Sequence, residues 1–126
     1  MNSIEPKGFE VKHLKKGKTR KIAKEIRNFI LRNVPQASSG GNTTFQNPQE
    51  WQNKGEKYGI HSDLVVIHDG GDMAAFCNSD YGQYGKMEKL ANFLNEKGFF
   101  IEECTSWYSA VYPLDINSYR LLWCVK

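Results

Sequence analysis

The chain has 126 residues, 40% hydrophobic and 25% charged, with a formal net charge of +3. That size and balance describe one ordinary domain able to bury a core without disulfides, and the 13% aromatic content argues against disorder over most of the length. No apolar run approaches the roughly 20 residues that a membrane-spanning helix needs. Residues 1–6 lack the basic-then-apolar pattern of a secretory signal, so a cytoplasmic protein is expected.

The charge is unevenly placed. Residues 1–34 hold ten Lys/Arg against three acids, and residues 35–126 hold seven against eleven. A basic segment on an acidic body points to a nucleic-acid or acidic-protein partner. The alternative is a solvated helix face that maintains solubility. The three cysteines, Cys77, Cys104 and Cys124, are odd in number and far apart. They read as reduced core residues rather than a disulfide framework.

In chain order, residues 9–14 alternate weakly, which predicts a short strand ended by Lys16-Gly17. Residues 19–33 read as a helix with Thr19 or a neighbour as its cap. Ile22, Ile26, Phe29 and Ile30 recur at spacings of three and four and share its buried face. Pro35 ends it. The other face and the lead-in carry Lys15, Lys16, Lys18, Arg20, Lys21, Lys24 and Arg27.

Residues 35–57 are rich in Pro, Gly, Ser and amides and read as one long polar loop, a kind of segment that is usually functional or mobile. Within it, Phe45 and Trp51 either anchor the loop or meet a partner. The apolar run Leu64-Val65-Val66-Ile67 predicts a buried strand. His68-Asp69-Gly70-Gly71 follows it. Asp-Gly-Gly between apolar runs predicts a hairpin with residues 73–77 as the returning strand. A second helix is expected over residues 84–97, buried through Met87, Leu90, Ala91 and Leu94 and stopped by Gly98. Strands are expected over 99–104, 107–112 and 119–125. Short connections between these strands imply a mainly antiparallel sheet with two amphipathic helices on one face. The fold class is therefore α+β, a two-layer sandwich.

No pattern reaches the specificity of an active-site signature. His68 and Asp69 at a strand end, with Cys104 or Ser106 as nucleophile, form the one enzymatic arrangement worth testing, since a His base needs a nucleophile within hydrogen-bond reach. The plainer reading makes Asp69-Gly70-Gly71 a turn. His13, His61, His68 and the cysteines show no zinc-knuckle spacing, so no metal is expected. Gly70-Gly71 lacks the following Lys-Ser/Thr of a phosphate loop, and no dinucleotide fingerprint occurs, so no cofactor is expected. Nucleic-acid binding rests on the seven basic residues at 15–27, without a base-reading motif.

Two segments, Leu64-Val65-Val66-Ile67-His68-Asp69-Gly70-Gly71 and Glu103-Cys104-Thr105-Ser106-Trp107-Tyr108-Ser109-Ala110-Val111-Tyr112, together with Asp80-Tyr81-Gly82, resemble small uncharacterised proteins carried by phages and other mobile elements. The resemblance spans roughly residues 58–112. It implies no catalytic residue. It implies a context in which small accessory proteins bind and block a host machine, as anti-CRISPR proteins do. Many such inhibitors are acidic DNA mimics, and the basic first helix departs from that pattern. The expectation is a non-enzymatic inhibitor of a host defence or nucleic-acid-processing complex, acting by occlusion of a protein or ribonucleoprotein surface. A direct nucleic-acid binder and a small His/Cys enzyme are the alternatives.

Overall fold

The 3–4 spacing of Ile22, Ile26, Phe29 and Ile30 yields a helix, α1 (Lys18–Asn33), with those four residues and Thr19 and Ala23 buried. Full burial of each isoleucine contributes on the order of 1.5–3 kcal/mol. That packing, more than intrinsic propensity, holds the helix. Its cap is the neighbouring Gly17, at φ 102°, and Thr19 lies within the first turn. The Thr19 hydroxyl instead donates to the Asp63 carbonyl at 2.7 Å, tying the helix start to a distant loop.

The structure, a computed structural model, describes residues 7–39, 41 and 43–114. The strand expected over 119–125 and Cys124 lie outside them. After α1 come β1 (Phe45–Gln46), α2 (Pro48–Asn53), β2 (Leu64–Ile67), α3 (Gly71–Cys77), a 3₁₀ turn (Ser79–Tyr81), α4 (Tyr84–Glu96), β3 (Phe99–Glu103) and β4 (Tyr108–Pro113). The four strands lie in the order β1-β2-β4-β3, and every ladder is antiparallel. The fold is α+β.

One sheet face presents Leu64, Val66 and Val111 to a core shared with Ile22, Ile26, Met73, Phe76, Leu90 and Leu94. Thus α1, α4 and the shorter α3 lie on that face. The opposite face carries Val65 and Tyr108, covered by Trp51 of α2. Gly98, at φ 92°, follows α4 as expected of a residue that must turn through the left-handed region. Among the described residues, no helix is long and apolar enough to cross a membrane.

Three expectations are corrected. Asp69-Gly70-Gly71 does not turn a hairpin, because residues 71–77 form α3. Met73, Phe76 and Cys77 are buried at spacings of three and four, a helical period, with Ala74 and Ala75 between them. Reciprocal bonds fix the start of α3 to the distant segment that follows α1: Asp72 N–H donates to the Ser38 carbonyl at 2.7 Å, and Ser38 N–H donates to Asp72 Oδ2 at 2.6 Å. In place of residues 73–77, β2 pairs with β1 on one side and β4 on the other, with Leu64 opposite Val111 and Ile67 opposite Tyr108.

Residues 9–14 form no strand, although Phe9, Val11 and Leu14 are buried. Side chains satisfy their backbone in place of a ladder. Arg20 Nη2 donates to the Lys12 and Leu14 carbonyls at 2.8 and 2.9 Å. Finally, the polar stretch 35–57 is not a single loop, since it contains β1 and α2.

Candidate cationic surface at the start of α1

Position 17 directs the chain into α1 without a side-chain cap. The lysines before and after it therefore surround an uncapped helix start, where backbone N–H groups and the helix dipole favour negative charge. Lys16, Gly17, Arg20, Lys21, Lys24, Glu25 and Asn28 line an open hollow of about 470 Å³ there. Lys16, Lys21 and Lys24 are exposed and form no ion pair among the described residues. Glu25 is the acid in this wall, and its carboxylate lies 3.8 Å from Lys97 Nζ. Asn28 was not anticipated as part of the surface. Its position four residues after Lys24 and seven after Lys21 places it on their face, so the signal was in the spacing.

The seven basic residues divide by role. Lys16, Arg20, Lys21 and Lys24 converge on the hollow. Arg20 is half-buried, its guanidinium held in place by the two carbonyl contacts, and its Nε is buried without a hydrogen-bond partner. Lys15 lines a neighbouring hollow of about 490 Å³, with His13, Asn47, Glu50 and Asp63 among its walls. Lys18 is exposed and sits 3.7 Å from Asp63 Oδ2, a surface contact of small energetic weight. Arg27 is half-buried and stands outside the hollow.

Phe45 and Trp51 are buried and present almost no exposed surface. Phe45 is fully buried with its ring 6.2 Å from that of Phe9. Trp51 is 3% exposed, with ring centroids 5.5 Å from Trp107 and 5.2 Å from Tyr108. Both are anchors, because α2 and β1 need apolar contacts to stay on the sheet.

The His68–Cys104 pairing also fails on geometry. The chain alternates faces along each strand. Cys104 packs with Trp51, Val65 and Tyr108 on one face, whereas His68 bonds to Ser109 of the other. Burial, and then the nearby Glu102 carboxylate, push the Cys104 thiol up to about 11, so it holds little thiolate at neutral pH. Asp69 is exposed at the turn into α3.

The structure does create a pair that the sequence did not suggest. His68 Nε2 lies 2.8 Å from Ser109 Oγ, and both residues are 1% exposed. A hydrolytic triad needs Nδ1–H held by an acid, so that Nε2 can accept the serine proton. Here Nδ1 has no hydrogen-bond partner. The Glu103 carboxylate is engaged 3.2 Å from both the backbone N–H and the hydroxyl of Ser79. Among the described residues no acid orients the ring, and the buried pair ties the residue after β2 to β4. Among the described residues, no three His, Cys, Asp or Glu side chains converge as metal ligands.

His68 has a pH consequence. Burial pushes its pKa below the ordinary histidine value, against weaker opposing effects of backbone carbonyls, Glu103 and Asp69. The folded state therefore disfavours the charged ring. Its stabilising contribution is complete above the unfolded-state value near 6.5 and is lost as pH falls from there through the depressed folded value. The urea midpoint is expected to drop between pH 7.5 and pH 5.5, and His68→Gln is expected to shrink that drop. An equal drop in both proteins would remove His68 as its source.

Comparison with known protein families, curated proteins and solved structures finds no match to this chain.

Proposed function

We propose that this is a non-enzymatic binding protein that seats the basic start of α1 on the phosphates of a host nucleic-acid-processing complex and occludes it. The observation that carries this reading is the convergence of Lys16, Arg20, Lys21 and Lys24 on one open hollow, with Glu25 placed beside Lys97. Four fixed or exposed cations on a helix start complement a phosphate backbone and read no bases. The resemblance to accessory proteins of phages and mobile elements supports the inhibitory context.

The test uses labelled random-sequence DNA and RNA oligonucleotides followed by fluorescence anisotropy across a salt series. For four contacted phosphates, log K is expected to fall against log salt with a slope of about −3 to −4. The triple variant Lys16→Ala/Lys21→Ala/Lys24→Ala is expected to lose at least about tenfold in affinity and about three units of that slope. Absent or salt-independent binding overturns the phosphate contact. In cells with an active RNA-guided defence, the wild-type protein is expected to restore phage plating and the triple variant to fail. Equal plating with and without the wild type counts against occlusion.

A further inference from the structure

Beside the cationic hollow lies a second, narrower groove of about 250 Å³, lined by Lys21, Ile22, Glu25, Leu94, Lys97 and Phe99. The two share Lys21 and Glu25, so they are contiguous. Their chemistry differs. Ile22 and Leu94 give the groove an apolar floor, being 1% and 0% exposed, and Phe99 at the start of β3 adds a half-buried aromatic ring. Lys21 and Lys97 stand at its rim, with Lys97 Nζ 3.8 Å from Glu25 and 5.6 Å from the centre of the Phe93 ring.

A ligand that fills both spaces carries an anionic group one step from a flat apolar group. The groove is smaller than the roughly 300 Å³ at which drug-sized pockets begin, so it suits one ring rather than a length of peptide. Resting on the phosphate-contact reading above, we infer that the partner's contacting component is single-stranded nucleic acid, with a phosphate in the hollow and an adjacent base against Phe99 in the groove. In a duplex the bases are paired and stacked and offer only their edges. In a single strand each base has a free face for an aromatic side chain. The pairing of an electrostatic track with one stacking residue is tolerant of sequence, consistent with the lack of a base-reading motif in the chain.

The experiment measures anisotropy with labelled 12-nucleotide oligo-dT and oligo-U, an abasic deoxyribose-phosphate strand of equal length, and a 12-base-pair duplex. Base-bearing single strands are expected to bind the unaltered protein between about fivefold and a hundredfold more tightly than the abasic strand. The duplex is expected to bind no better than the abasic strand. Phe99→Leu is expected to bring oligo-dT down to the abasic level and leave abasic binding unchanged, whereas Phe99→Tyr keeps the preference.

Equal binding of base-bearing and abasic strands overturns the inference, and so does a Phe99→Leu loss that is the same for both. The abasic comparison is made on the unaltered protein and decides even if Phe99→Leu does not fold. If all four probes bind equally and the triple lysine variant abolishes that binding, the phosphate contact stands and only the base seat falls. If no probe binds, the phosphate contact itself falls.

Discussion

Trp51→Ala is expected to lower stability by about 3–5 kcal/mol, the range for removing a large buried aromatic, while leaving the folded protein's affinity for oligonucleotides unchanged. Trp51 is the side chain of α2 that covers the second sheet face, against Trp107, Tyr108 and Val65. Its removal leaves a cavity that a six-residue helix cannot close without shifting on the sheet. A urea midpoint measures the stability loss. Iodoacetamide provides a local readout, because Cys104 belongs to the same cluster and its thiol is raised chiefly by burial. Alkylation of Cys104 is expected to be faster in the variant than in the wild type under native conditions. A variant with wild-type stability and weakened oligonucleotide binding would return Trp51 to the partner surface and contradict its role as an anchor.

The parts of the fold legible in the sequence are those whose period is set by one buried face. Residues 22, 26, 29 and 30 on α1, and Leu90 and Leu94 on α4, announce helices because each set packs on the same core. Leu64-Val65-Val66-Ile67 announces a central strand because its first three residues are buried on both faces of the sheet. The misread segments are those whose state depends on distant atoms. Residues 71–77 carry a strong local turn signal, yet the bonds to Ser38 and the packing of Met73 and Phe76 select a helix. Residues 9–14 alternate like a strand, but side chains from positions 20 and 47 take up their backbone groups. No local pattern encodes either arrangement.

The cationic surface was legible as a segment and not as a site. Composition places seven basic residues within positions 15–27, but only the fold shows that Arg20 is braced, that Lys18 neighbours Asp63 and that Arg27 does not line the hollow. The groove beside Phe99 joins residues some 75 positions apart along the chain, from Ile22 to Lys97, and no sequence pattern marks it.

Asn47→Ala is expected to destabilise the protein by about 2–4 kcal/mol, the summed cost of leaving buried backbone groups unpaired. Although Asn47 precedes Pro48 at the start of α2, its side chain does not cap that helix. It reaches across 32 positions instead. Its Oδ1 accepts from Lys15 N–H at 2.7 Å, and its Nδ2 donates to the His13 carbonyl at 3.0 Å and to Glu50 Oε2 at 3.1 Å. The residue is 7% exposed, so water does not readily replace these bonds. Loss of this clasp loosens the segment that carries Lys15 and Lys16, and a fall of a few-fold in oligonucleotide affinity should accompany the lower urea midpoint. Asn47→Asp sharpens the test. It retains the acceptor for Lys15 but sets a carboxylate against the His13 carbonyl oxygen and the Glu50 carboxylate, two contacts that repel it. At neutral pH the aspartate variant is therefore expected to be no more stable than the alanine variant, and to regain stability as pH falls toward the carboxylate range and the new group takes up a proton it can donate. An alanine variant that unfolds at the wild-type urea concentration would show that the clasp contributes nothing.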